Sequence, residues 1–223
     1  MTEHSQTHGP ATGGRVLHSA RAYDLGTFLL SFGREKRLRR ETIQRAGITT
    51  GQSVLDVGAG TGTLTIAAKA AVGAAGHVAG IDPSPEMIER AKQKAAKAKA
   101  TIDFRLGVIE SLPFPDASFD AVLSSLMLHH LPDDVKRQGF AEIARVLKPG
   151  GRFFAVDMVG GGHGPAGHPL GVVLGHRGHG GHGAGGDGLQ SAVTLLQAAG
   201  FKDIVTGRLD SRAMFGFLSA TRA

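Results

Sequence analysis

The stretch "LDVGAGTGTL" places one carboxylate, Asp56, beside glycines at 58, 60 and 62. Glycines in such a turn let the backbone approach a bound ligand closely. Their spacing is G-x-G-x-G, whereas the dinucleotide fingerprint needs its third glycine one position later, where this chain has Thr63. No Walker lysine follows, so a pyrophosphate ligand is disfavoured. Asp82 closes the next apolar run about twenty positions on, where a carboxylate accepts hydrogen bonds from both ribose hydroxyls. A nucleoside without phosphates fits these parts better than an ordinary tight turn followed by a helix-capping aspartate does. Two further sets of residues could do chemistry. His129 and His130 are adjacent imidazoles suited to taking a proton near neutral pH, or else they cap a turn. His163, His168, His176, His179 and His182 lie in a glycine-rich stretch, and the last three are close enough to share a zinc, nickel or copper ion.

The elements that must position these residues follow from the apolar pattern. "SVLDVGAG" (53–60), "GHVAGID" (76–82), "IDFRLG" (102–107), "FDAVLSSLML" (119–128, running into a turn) and "GRFFAVDM" (151–158) predict strands. "TLTIAAKAAV" (63–72), "EMIERAKQKAAKAKA" (86–100, with Ser84 as its cap) and "DDVKRQGFAEIARVLK" (133–148, stopped by Pro149 and Gly150) predict helices. "LQSAVTLLQAAG" (189–200) predicts a last helix, and "FKDIVTGRL" and "MFGFLSATRA" two strands that pair antiparallel at the sheet edge. The alternation predicts an α/β fold: a doubly wound, mainly parallel, Rossmann-like sheet with helices on both faces and an antiparallel C-terminal edge. The expected organisation is a disordered tail over 1–14 and a single domain over 15–223, with an N-terminal helical cap at 15–47 and a Gly/His-rich insertion at 160–186.

With 223 residues, 41% of them hydrophobic, the chain can bury one sizeable core. Lys and Arg number 25 against 19 for Asp and Glu, and they concentrate in "GREKRLRR" (33–40) and "AKQKAAKAKA" (91–100). These clusters read as solvated helix faces, with an anionic membrane surface as the alternative, and no aromatic-basic interleaving points to nucleic acid. The absence of cysteine excludes disulfides and thiolate zinc sites. No apolar run reaches the roughly 18 residues of a membrane span, and the first residues lack the apolar core of a signal peptide, so a cytoplasmic protein is expected.

Four segments, "VLDVGAGTG", "GIDPSPEMIERA", "LPFPDASFDAV" and "EIARVLKPGGRF", resemble the successive motifs of the class I S-adenosylmethionine-dependent methyltransferases with the type 11 methyltransferase domain. The resemblance covers about residues 50–158 and implies S-adenosyl-L-methionine as cofactor. It implies that Gly58, Ala59, Gly60 and Thr61 line the methionine end, that Asp56 helps place the ammonium, and that Asp82, followed by Pro83, holds the ribose. The family's acidic or amide partner for the adenine amino group falls at Val108, which cannot make that bond. Ile109 then offers its backbone N–H and an apolar wall, and Ser124 falls at a further cofactor-contacting position.

Upstream, "AYDLGTFLLSFGREKRLRRETI" (22–43), with Tyr23 among the implied cofactor contacts, is similar to the segment preceding the glycine motif in the ubiquinone and menaquinone biosynthesis C-methyltransferases. Those enzymes carry an "FGLRN"-like stretch after the fourth strand, where this chain has "LMLHHLPDD". The function so implied is direct displacement of a methyl group onto a small-molecule acceptor, quinone-like or lipid-like, with His129 and His130 as candidate bases and peripheral membrane contact as an option. A non-catalytic S-adenosylmethionine-binding or metal-responsive protein is the alternative from a different class, and an NAD-dependent dehydrogenase is disfavoured by the glycine spacing. For the Gly/His segment three readings stand: a lid over the acceptor pocket, an insertion without function, and a metal site at His176, His179 and His182. The sequence does not disclose an oligomeric state.

Overall fold

Seven strands join one sheet in the order β3-β2-β1-β4-β5-β7-β6. The structure is a computed structural model, and it describes residues 35–158, 188–209 and 215–223. Along the chain come α1 (Glu35–Arg45), β1 (Ser53–Val57), α2 (Thr63–Val72), β2 (His77–Asp82), α3 (Pro85–Lys97), β3 (Asp103–Leu106) and β4 (Phe119–Ser125). A 3-10 turn (Leu128–His130), α4 (Asp133–Val146), β5 (Leu147–Met158), α5 (Gly188–Ala198), β6 (Phe201–Arg208) and β7 (Phe215–Arg222) follow. Strands β1 to β5 run parallel, so their carboxyl ends share one edge, and the sheet reverses its order between β1 and β4, where such sheets bind ligands.

Period-2 alternation divides the sheet's side chains between two cores. Leu55, Val57, Ile81, Val122, Phe153 and Leu218 pack on one face with Phe140 and Ile143 of α4 and Leu196 of α5. Val54, Val78, Leu123, Phe154 and Val156 pack on the other face with Leu38 and Ile43 of α1 and with Leu64, Ala68 and Val72 of α2. A fully buried side chain such as Phe140 or Leu55 contributes roughly 2 kcal/mol. The same alternation decides which face each polar residue of the carboxyl edge addresses.

The predicted α/β architecture is observed, and α2 spans the predicted residues. Helix α3 starts as its cap residues require, with Pro85 in the first turn and Ser84 Oγ accepting the Met87 N–H at 3.4 Å. Two boundaries are corrected. Helix α4 ends at Val146, before Pro149, because the Arg145 and Val146 carbonyls accept the N–H groups of Ala117 and Ser118 and Leu147 already pairs with Phe119. Strand β4 stops at Ser125, since Leu126 adopts a positive φ of 58°. The antiparallel C-terminal edge is as expected: β7 pairs antiparallel with both β5 and β6, and β6 forms the rim. Tyr23, the five histidines from His163 to His182, the tail at 1–14 and the insertion at 160–186 lie outside the described residues, as does the cap at 15–47 apart from α1 and the turn that follows it.

Candidate active site

The glycine turn follows β1 because its conformation excludes side chains. Gly58, Gly60 and Gly62 all have positive φ, and a Cβ on Gly58 would stand 2.9 Å from Met127 Cγ. On Gly62, which precedes α2, a Cβ would meet Ala91 of α3 and Phe104 of β3 at 2.9 Å, so this glycine brings the turn against the next helix and strand. The turn is tied to β2 by the Asp82 carboxylate, whose Oδ2 accepts the Gly60 N–H at 2.9 Å and whose Oδ1 accepts the Ser84 N–H at 2.9 Å. Burial raises the Asp82 pKa against the lowering effect of those two N–H donors. Each oxygen retains lone-pair capacity for a ligand. Asp82, Pro83, Gly58 and Gly60 border a solvent-open cleft of about 690 Å³, together with Met87, Gly107, Val108 and Ile109.

A smaller, solvent-open recess adjoins it and shares Gly58 and Ser125 with it. Ala59, Thr61, Thr63, Leu64, Asp56 and Arg39 complete its wall. Asp56 is 1% exposed, and its Oδ2 accepts the Thr65 hydroxyl at 2.6 Å. Burial pushes its pKa up to about 6, although the Thr65 hydrogen bond and the nearby Arg39 guanidinium pull it down. Arg39 comes from α1: it is 5% exposed and donates from Nη1 to Ser125 Oγ at 2.7 Å. The sequence reading took "GREKRLRR" as a solvated face. Lys36, Arg37 and Arg40 are indeed exposed, but Arg39 falls in the buried stripe Leu38, Arg39, Thr42, Ile43, Ala46. Helical spacing applied to that stripe is the signal that could have found it.

Beyond β3, Val108 borders the large cleft and opens a tight turn closed by the Ser111 N–H on the Val108 carbonyl at 3.2 Å. Ile109 also borders the cleft, but its side chain is buried against α4. There Gly139 makes the room, since a Cβ at Gly139 would lie 2.5 Å from Ile109 Cγ1. The apolar wall therefore falls largely to Val108, Met87 and Leu131. Ser124 is 1% exposed, points to the α4 face and borders neither cavity; Ser125, the next residue, borders both.

The positive φ of Leu126 turns the chain out of the sheet and sets Met127 against Gly58. His130 borders the cleft. His129 lies against it, ring centroids 3.8 Å apart, and is bonded to Asp157 at the end of β5. Among the described residues no group of three or more side chains could hold a metal ion, and no helix is long and apolar enough to cross a membrane.

Comparison with known proteins adds a name to this geometry. A family described as "Methyltransferase domain" matches residues 54–151, which contain the glycine turn, Asp82, Val108 and the His129–His130 pair. Residues 54–151 are thus similar to that family. The demethylmenaquinone methyltransferase of Tropheryma whipplei is 45% identical to this chain over 140 residues, which make up 62% of this chain and 55% of that protein. The chain thus spans about half the length of the curated relatives it matches. Beyond the matched residues the fold is shared with solved structures. A SAM-dependent methyltransferase from Aquifex aeolicus superposes with a TM-score of 0.68 at 21% identity, covering 92% of this chain and 98% of its own. A [4+2]-cyclase, SpnF, superposes with a TM-score of 0.66 at 21% identity, covering 95% of this chain and 99% of its own. A cyclase shares the fold, so the reaction must be argued from the site. Arg39 and Asp157 both lie outside the matched residues, yet they bond Ser125 at the end of β4 and His129 in the turn after it, both within those residues.

Proposed function

We propose that this protein is an S-adenosyl-L-methionine-dependent methyltransferase acting on a small-molecule acceptor with a quinone-like ring. The observation that carries the reading is the pair of joined cavities with their charges. A carboxylate suited to a ribose diol, Asp82, stands at the larger one. A cation and an anion suited to an amino acid's carboxylate and ammonium, Arg39 and Asp56, stand at the smaller one. The donor set therefore fits a zwitterionic amino acid attached to a nucleoside, and the two cavities meet at the backbone of Gly58, which lines both.

Asp82 would hold the ribose, beside Pro83. The backbone of Gly58, Ala59, Gly60 and Thr61 would line the path of the methionine end, with Arg39 at its carboxylate and Asp56 at its ammonium. Val108 and Ile109 would flank the adenine, and Ser124 and Tyr23 belong to the same proposal as cofactor contacts. When bound, the cofactor supplies an electrophilic methyl on a sulfonium. The chain's own share of catalysis is proximity and orientation of the acceptor, with His129 and His130 available for a proton. Residues 15–223 are read as one domain, and the protein as cytoplasmic.

The quinone-like acceptor rests on the name of the Tropheryma whipplei relative and on the similarity of the segment at 22–43. Calorimetry of the full chain with S-adenosylhomocysteine and with NAD tests the cofactor reading: the first should bind and the second should not. Methyl-labelled cofactor incubated with a cell extract then identifies the labelled product.

A further inference from the structure

The cleft and the recess are read above as holding the two ends of one ligand, and one side chain stands where they meet. Met127 is half-buried, borders the cleft, and packs from behind on the core beneath α4. Its Cγ and Cε would lie 2.9 and 3.6 Å from a Cβ on Gly58, the glycine that lines both cavities. The Sδ atom, bonded to Cγ and Cε, is therefore held beside the Gly58 backbone. The preceding residue aims it there. Leu126, which also borders the cleft, has a φ of 58°, in the left-handed region that a bulky side chain rarely adopts. Its N–H donates to the Val156 carbonyl at 2.8 Å, which ties the turned backbone to β5. Such a conformation persists only where its surroundings over-determine it, and residues of this kind gather at ligand sites.

We propose that Met127 is a specificity-determining residue whose thioether sulfur faces the sulfonium of the bound cofactor, so that the charged methyl donor gains an attraction that the neutral thioether left after transfer lacks. The inference rests on the S-adenosyl-L-methionine reading above and deepens it. With the ribose at Asp82 in the cleft and the amino acid end at Arg39 and Asp56 in the recess, the atom that joins them falls at Gly58. That atom is the sulfur. A sulfonium is positive but has no N–H or O–H, so it cannot donate a hydrogen bond as an ammonium does. Its favourable neighbour is a polarisable atom with lone pairs, and a thioether supplies these while suiting the apolar wall around it. Once the methyl has gone, two neutral thioethers face each other. Met127 thereby favours exchange of product for fresh cofactor.

A Met127 that only packed against Gly58 would change the affinities of both ligands together, so the test reads their ratio. Titration calorimetry of the full chain with S-adenosyl-L-methionine and with S-adenosylhomocysteine, without acceptor, gives that ratio. Met127→Leu nearly keeps the volume and removes the sulfur. It should weaken S-adenosyl-L-methionine at least about threefold and leave S-adenosylhomocysteine within about 1.5-fold. The chain has no cysteine, so Met127→Cys can be alkylated at a single thiol with iodoethane, which restores a thioether in a side chain of the same length. That protein should regain the ratio of the unaltered chain, and it keeps the test alive where Met127→Leu disturbs folding.

A ratio in Met127→Leu within about 1.5-fold of the unaltered protein overturns the inference, whether both affinities fall together or neither moves. An ethylated Met127→Cys that behaves like Met127→Leu overturns it as well. If the unaltered protein binds neither ligand, the cofactor reading falls and takes this inference with it. If it binds both and only the ratio fails to move, the cofactor reading stands and the role of Met127 does not.

Discussion

At the β1–β2 half of the carboxyl edge, Asp82 meets the Gly60 N–H at 2.9 Å across 22 residues, and the ligand-facing groups there are largely backbone. At the β4–β5 half the contacts join side chains: Arg39 to Ser125 across 86 residues and Asp157 to His129 across 28. The first half works by removing side chains so that backbone and one carboxylate face the cleft. The second depends on particular side chains supplied by α1, β4 and β5. A backbone site of this kind has a sequence signature, because only glycine fits its positive φ and close approaches. A side-chain site assembled from distant elements has none until the fold brings the parts together.

The largest effect should fall on the backbone half. Asp82→Ala removes both proposed ribose acceptors and leaves the Gly60 and Ser84 N–H groups without their carboxylate, so cofactor binding should weaken by roughly 4 kcal/mol, readable by calorimetry. If affinity survives, the division between the two halves is drawn in the wrong place.

Next comes the buried carboxylate of the smaller cavity. Because burial holds the Asp56 pKa up near 6 against 3.8 for the ordinary group, the native state keeps a proton that the unfolded chain has lost between pH 4 and 6. Stability therefore falls as pH rises through that window and is flat above it. Asp56→Asn should remove this slope, a difference of roughly 3 kcal/mol between the two curves, checked by urea unfolding at pH 4 and pH 7. Asp82 shifts in the same direction but is common to both proteins, so the difference isolates Asp56.

Arg39→Met sharpens the contrast from the side-chain half. It should weaken S-adenosylhomocysteine by roughly 2 kcal/mol, as for a lost charged hydrogen bond, and leave adenosine unaffected. An equal loss for adenosine would place Arg39 away from the amino acid end. Smallest is Val108→Asp, which restores an acceptor at the adenine position and should tighten the cofactor by about 1 kcal/mol.

The sequence reading shows the same asymmetry. The glycine turn, Asp82, the Ser84 cap and the span of α2 were legible because each depends on neighbours within one element or one turn. The end of α4 was misplaced because a strand partner, Phe119, claims Leu147 before Pro149 can act as the breaker. Ser125 lines both cavities while Ser124 faces α4, because neighbouring side chains of a strand point to opposite faces, and the sequence does not show which face is which. Arg39 was hidden among exposed basic residues, and Asp157 in an apolar run, because their partners lie on other elements.

The central claim is that the two joined cavities bind a nucleoside carrying an amino acid. Titration calorimetry of the full chain with S-adenosylhomocysteine, adenosine and NAD tests it most directly. The account predicts one site for S-adenosylhomocysteine, weaker binding of adenosine, the difference reduced by Arg39→Met, and no heat with NAD. Equal affinity for adenosine and S-adenosylhomocysteine, or binding of NAD in their place, would contradict it.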